Sequence, residues 1–183
     1  MKKFGFFLLS ILVSITLGAQ RFSVVPSSSS LMISGTSSLH DWEMEAEEMS
    51  GSAELSLSGE QVDVKQLSFS VPVSSLSSGK KAMDKNAFKA LDMDNHPTIK
   101  YTAESVSAGA GGLTANGYLE LAGSRKPLKV IAKPSVSGNT VTFEGSVDLK
   151  MTDFGMDPPT ALLGTLKTGD DIVIHFTVQY KSN

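Results

Sequence analysis

Between residues 141 and 151 every second side chain is apolar or small: Val141, Phe143, Gly145, Val147, Leu149 and Met151, with Thr142, Glu144, Ser146, Asp148 and Lys150 between them. A helix cannot gather that pattern onto one face. A β-strand does, because its successive side chains point to opposite sides. The same rhythm returns in Ile172, Ile174, Phe176, Val178 and Tyr180, in Trp42, Met44 and Ala46, in Leu67, Phe69, Val71 and Val73, and in Ile99, Tyr101 and Ala103. Shorter stretches at 55–57, 113–121 and 128–132 are also strand-like. Residues 22–25 and 31–35 flank a proline followed by four serines, which predicts a bent or interrupted first strand. Turn signals fall at Ser50-Gly51-Ser52, at 109–112, at Gly123-Ser124 and, most strongly, at Ser137-Gly138-Asn139. Pro72 points the end of its strand toward an edge or bulge. A long connection at 152–168 carries Phe154, Pro158 and Pro159.

Eight or nine strands with one apolar face each describe a single antiparallel sheet with a wet outside. Lacking a second layer of helices, such a sheet must close on itself or fold into a sandwich. The expected class is therefore all-β, a closed antiparallel barrel of about eight strands where the sheet closes rather than folding into a sandwich. A barrel of that size has an interior that side chains fill, or that holds one small ligand.

One stretch breaks the rhythm. In 80–101 Met83, Ala87 and Leu91 recur every four residues with Phe88 beside them, while Lys81, Lys85 and Lys89 recur on the other side. This predicts one amphipathic helix, inserted after about the fourth strand, with its apolar face against an end or side of the sheet. Ser77-Ser78-Gly79 supplies start residues, Asp84 suits the positive end of the helix dipole, and Pro97 prevents continuation.

The amino terminus reads differently. Met1-Lys2-Lys3 precedes an apolar run at 4–17 and then Gly18 and Ala19. A basic start, a short apolar core and a small-residue exit describe a secretory signal peptide, too short to span a membrane comfortably. The expected division is a leader at 1–19, with cleavage after Gly18 or Ala19, and one domain at 20–183, placed in the periplasm or secreted. The chain has no cysteine, so neither a lipoprotein anchor nor a disulfide framework is available, and core packing alone must hold the fold. A net charge of −3 gives no electrostatic case for nucleic acid.

Inside the expected barrel, Ala103, Ala115, Gly117, Ala132 and Gly145 fall on the inward phase of several strands. Small residues there would widen the bore. The alternative is that the glycines mark strand bends and the alanines fit beside Phe69, Phe143 and Phe176.

Taken in order, several segments resemble a known family. Gly35-Thr-Ser-Ser-Leu-His-Asp-Trp42, Met83-Asp-Lys-Asn-Ala-Phe-Lys-Ala-Leu91 followed by His96-Pro97-Thr-Ile99, Asn116-Gly117-Tyr-Leu-Glu-Leu-Ala-Gly123, Met151-Thr-Asp-Phe-Gly155 and Thr168-Gly-Asp-Asp-Ile-Val-Ile174 are similar to segments of the YceI-like family of exported bacterial proteins. The resemblance implies a lipocalin-like barrel that binds polyisoprenoid lipids. The chain departs from better-known members at Met83-Asp84 and at Lys150-Met151, which places it in a divergent branch.

Catalytic patterns are missing from the sequence. His40, His96 and His175 are scattered, and no nucleophile elbow, phosphate loop or paired-carboxylate motif is present. Asp41, Glu43, Glu45 and Glu47 form an acidic row and Arg125, Lys129 and Lys133 a basic one, both on outward phases and read as solvated faces. The expectation is a non-enzymatic protein with no metal and no cofactor, binding or carrying a long apolar lipid in the bacterial envelope, which the family resemblance implies to be isoprenoid-like, a fatty-acyl lipid being the alternative. Phe69, Phe88, Leu91, Ile99, Tyr101, Ala115, Leu119, Phe143, Phe154, Ile174 and Phe176 are the candidate lining residues. The helix lysines could also touch anionic headgroups at a membrane surface. The runner-up is a filled barrel serving as an envelope interaction module, and a third reading is an enzyme using His40 and Asp41. The oligomeric state stays open, a dimer included.

Overall fold

The computed structural model of the chain describes residues 19–109, 111–161 and 164–183. The expected leader lies outside them, apart from Ala19. The strands are β1 (Gln20–Val24), β2 (Ser30–Ser37), β3 (Trp42–Ala46), β4 (Ser50–Ser58), β5 (Gln61–Pro72), β6 (Leu76–Ser77), β7 (Thr98–Gly109), β8 (Gly112–Leu121), β9 (Ser124–Ser137), β10 (Thr140–Lys150), β11 (Thr160–Ala161) and β12 (Leu166–Ser182). Helix α1 (Lys81–Ala90) lies between β6 and β7.

Hydrogen-bonded neighbours run β1-β4-β5-β7-β8-β9-β10-β12, and β12 pairs back to β1 through Phe22–Ser182 and Val24–Tyr180. That is a closed ring of eight antiparallel strands, which removes the exposed edges an open sheet would leave. Of the remaining strands, β2, β3 and β6 prolong members of the ring, and β11 pairs with the start of β12. β1 and β2 both lie along β12, with a 3-10 turn at Pro26–Ser28 as the hinge between them. Likewise β3 continues β4, and β6 continues β5 across a 3-10 turn at Val73–Ser75. The interrupted first strand is thus present, and the chain is an up-and-down meander of eight long strands. The helix follows the third of these rather than the fourth, because the stretches around 42–46 and 55–57 belong to one bent strand.

Two bulges change the inward phase. On β5 the residue Lys65 has no partner on β4, so Val64 and Leu67 both face inward although three positions apart. On β7 Glu104 is the extra residue, and Val106 rather than Ser105 points into the barrel. A further irregularity on β12 between Thr168 and Ile172 inserts two residues opposite β2, so the phase is kept and Thr168 and Ile172 both point into the barrel. An inserted residue reverses every later side chain on its strand, which a strict period of two does not anticipate.

The helix has the expected faces: Met83, Ala87 and Phe88 are half-buried, Leu91 is buried, and Lys81, Lys85 and Lys89 are exposed. Its ends differ from expectation. It starts at Lys80, and the Ser78 amide and hydroxyl both donate to Asp84 Oδ1, at 2.8 and 2.6 Å, folding the preceding loop onto the first turn. It stops at Leu91 because Asp92 adopts φ 50°, a left-handed conformation, held by Asn95 Nδ2 donating to its carboxylate at 2.9 Å. Pro97 comes after the helix has already ended.

The core has two parts. Phe22, Ala53, Leu55, Val64, Leu113, Val141, Phe143, Val178 and Tyr180 pack one end shut. At the other end Met44, Val71, Leu91, Leu121, Phe154, Met156 and Ile172 pack beneath the helix and the 3-10 turn at Met151–Phe154.

Candidate functional site

Between these two clusters runs a cavity of about 490 Å³. Its wall is built from inward positions of nearly every ring strand: Leu31 and Ile33 of β2, Phe69 and Val71 of β5, Ile99 and Tyr101 of β7, Ala115 and Leu119 of β8, Leu128, Val130 and Ala132 of β9, and Ile174, Phe176 and Val178 of β12. Met83, Ala87, Ala90 and Leu91 of the helix close part of one end. The interior is therefore open, one of the two outcomes that the small inward residues allowed.

The small residues divide between the two explanations offered for them. Ala115 and Ala132 do line the cavity, on the neighbouring strands β8 and β9. Gly145 does not widen it: a Cβ there would lie 2.8 Å from Phe176 Cζ, so the glycine makes room for the ring of its cross-strand partner. Gly117 is likewise a close approach, since a Cβ would run into the Thr102 carbonyl beside the β7 bulge. Gly35 seats the Trp42 ring in the same manner. Ala103 is half-buried and outside the lining. A wider bore thus comes from two alanines, while the glycines serve the wall itself.

Two tyrosine hydroxyls reach this apolar space, and both are bonded to the backbone. Tyr101 Oη donates to the Ala115 carbonyl at 3.1 Å, and burial pushes its pKa up to about 12. Tyr180 Oη donates to the Ser68 carbonyl at 3.1 Å, and burial raises its pKa as well. The Tyr180 ring meets Phe143 edge-on, with centroids 5.8 Å apart and planes at 71°. A buried hydroxyl would be costly if unpaired. With both paired, the walls present among the described residues no buried side-chain donor seeking a partner deep in the bore.

Apart from these two hydroxyls, the polar lining side chains among the described residues collect where the cavity opens. Ser37, His40, Lys80, Asn86, Thr160 and Thr168 line that mouth, between the β2–β3 hairpin, the start of α1 and the connection leading into β12. Among the described residues Lys80 is the one charged lining side chain. Leu39, beside His40 at the hairpin tip, is 69% exposed.

Of the expected lining residues, Phe69, Leu91, Ile99, Tyr101, Ala115, Leu119, Phe143, Ile174 and Phe176 meet around the cavity. Phe88 and Phe154 do not. Phe154 is 4% exposed within the core below the helix, its carbonyl accepting from Ser124 Oγ at 2.7 Å. Phe88 is half-buried and packs against that same core from outside. Its truncation to Ala should therefore cost ~2 kcal/mol, below the range for a fully buried ring. Lys85→Ala should change stability by less than ~0.5 kcal/mol. Thermal unfolding of the two variants checks the orientation of the helix, since equal losses would mean that its lysine face is the packed one.

Sequence reasoning missed Val64 and Val106, which the bulges turn inward, and the mouth residues Lys80 and Asn86 at the start of the helix, and it raised His40 only for catalysis rather than as part of the mouth. The histidines are far apart: His40 at the mouth with Nδ1 2.6 Å from the Asp41 carbonyl, His96 3.7 Å from Asp92 beyond the helix, and His175 exposed on the outer face of β12. Among the described residues no group of three potential metal ligands comes together. The acidic and basic rows, Asp41 to Glu47 and Arg125 to Lys133, are exposed on outer faces as expected.

Comparison with solved structures finds the same fold. BcnA of Burkholderia cenocepacia superposes with a TM-score of 0.69 at 18% identity, over 85% of this chain and 98% of that one. A polyisoprenoid-binding domain from Saccharophagus degradans gives 0.66 at 14%, over 88% and 98%. The YceI protein of Campylobacter jejuni gives 0.62 at 15%, over 76% and 84%. Comparison with curated proteins gives no match. The YceI-like domain profile matches residues 22–180, nearly the whole of the barrel from β1 to β12, and the chain belongs to the YceI-like family.

Proposed function

We propose that the protein binds a long apolar, isoprenoid-like lipid inside the barrel, without catalysing a reaction on it. The observation that carries this reading is the cavity: about 490 Å³ of largely apolar space, shut at one end, whose polar lining side chains among the described residues stand at its mouth, apart from the two bonded tyrosine hydroxyls. Burying hydrocarbon there contributes roughly 0.8 kcal/mol per methylene before ordering costs, so affinity needs no charged anchor. Both buried hydroxyls are already bonded, which favours a ligand whose buried part is pure hydrocarbon. The name of the Saccharophagus relative as a polyisoprenoid-binding domain supports the ligand class. A filled interaction module is the weaker reading, because it leaves this space unexplained.

The site of action is proposed to be the bacterial envelope, on the strength of the signal-like start of the sequence. Exposed Leu39 lies beside the mouth residue His40, and Lys80 lines the mouth with exposed Lys81 next to it in the chain, an arrangement suited to transient contact with an anionic membrane surface. Each such lysine would contribute about 1 kcal/mol there.

Native mass spectrometry of protein purified from the envelope of its own host tests both parts. The expected result is a complex carrying one lipid per barrel, with a polypeptide mass that lacks the first eighteen or nineteen residues, as the leader in the sequence implies. Lipid-free protein that also fails to take up a fluorescent prenyl or fatty-acyl probe would reject the lipid reading. A polypeptide still beginning at Met1 would reject the export reading.

A further inference from the structure

We infer that the bore is built for one hydrocarbon chain of about twenty carbons, prenyl or acyl, and that Phe143 and Tyr180 set this length by closing its inner end. The inference rests on the lipid-binding reading above and narrows it to single-chain amphiphiles of limited length.

Volume gives the first argument. A protein cavity of about 150 Å³ accommodates benzene, six carbons. By that measure the 490 Å³ here holds about twenty carbons. Shape gives the second. Ile172, Ile174, Phe176, Val178 and Tyr180 of β12 line the bore in succession from mouth to floor. Eight residue steps at about 3.3 Å, on a strand tilted by about 40°, amount to roughly 20 Å of depth. Spread over that depth the volume leaves a cross-section of about 25 Å², the width of one hydrocarbon chain and not two.

The inner end offers no continuation. Beneath the Phe143–Tyr180 pair lie Phe22, Leu55 and Val141, at 1%, 0% and 0% exposure. Tyr180 is held in place by its bond to Ser68 and by the edge-on contact with Phe143. A chain entering tail first therefore stops at this pair, and its polar head stays at the mouth near Lys80 and Asn86. A polyprenyl chain of about forty carbons would leave about half its length outside, gaining nothing from the extra units.

The test is a displacement titration with single-chain alcohols, saturated and prenyl, of about ten, twenty and forty carbons. In wild type, affinity should rise at least tenfold between the first two lengths and show no further gain at the third. Ala132→Phe places a ring one inward step from Phe143, since Ala132 pairs with Gly145 and Phe143 is the next inward residue of β10. It should weaken the twenty-carbon probe at least tenfold and barely change the ten-carbon one, with an unaltered circular dichroism spectrum as the check on folding. Affinity that keeps rising to forty carbons, or an Ala132→Phe effect equal at every length, overturns the length limit while leaving lipid binding standing. Absence of binding at every length overturns lipid binding itself and the limit with it.

Discussion

Phe22→Ala should be among the most destabilising single truncations in the barrel, lowering the unfolding free energy by about 3–5 kcal/mol. Phe22 sits on β1, only five residues long, which hydrogen-bonds β4 on one side and β12 on the other and so closes the ring. The side chain is 1% exposed and packs with Ala53, Leu55, Val141 and Tyr180, all at or below 2%. Its neighbours are wall and floor residues tied into the sheet, so they cannot collapse onto the vacated space, and the cavity penalty adds to the lost transfer energy. Such a loss is a large share of the 5–15 kcal/mol typical of a whole domain. Urea unfolding measures it: the midpoint should fall while the slope, which reports surface exposed on unfolding, stays constant. A loss no larger than that of Phe88→Ala would mean that β1 is not what holds the ring closed.

The sequence disclosed the architecture more readily than the cavity. Strict alternation in 141–151 and 172–180 requires strands with one wet face, and a large single-faced antiparallel sheet has few ways to bury the other face. That constraint leaves closure or a sandwich, and the resemblance to a barrel family is what favours closure. The helix was equally legible, because a period of four stands out against a period of two. What the pattern could not show were the places where the backbone departs from regular pairing. Lys65 and Glu104 are each one extra residue on one strand, and nothing in their chemistry marks them as bulged, yet they decide that Val64 and Val106 face inward.

The same limit applies to the glycines. On the page Gly117 and Gly145 look alike as small inward residues. Only the fold reveals that one lies against a neighbouring carbonyl and the other beneath the Phe176 ring. Phe154 is the opposite case: an aromatic in an irregular connection, correctly expected to be buried but placed in the core below the helix rather than on the bore. Period and polarity report which side of a strand faces in. They do not report how far along the barrel axis a residue stands, and it is axial position that separates floor, bore and cap.

Ala115→Phe should abolish most lipid binding while leaving the fold intact. Ala115 lines the open bore on β8, paired with Val106 and Val130, and Tyr101 fixes its carbonyl from the neighbouring strand. A phenyl ring projecting from this position needs about 150 Å³, the space that benzene occupies in a protein cavity. The bore has about 490 Å³, so the ring enters free volume instead of displacing packed side chains. Overpacking a filled core would cost about 1–3 kcal/mol; here the change in stability should stay below ~1 kcal/mol, because new apolar contacts offset residual strain. Binding is another matter. A ring that takes roughly a third of the bore displaces about six carbons of the ligand, at ~0.8 kcal/mol each. Even with the tail partly rerouted, affinity for a prenyl or fatty-acyl probe should fall a hundredfold or more. Thermal unfolding and probe titration on wild type and variant together decide it. A wild type that binds the probe and a stable variant that binds it equally well would place the ligand outside the barrel. A wild type that binds no probe, with a variant clearly destabilised, would mean that the bore is effectively filled, and would return the protein to the interaction-module reading.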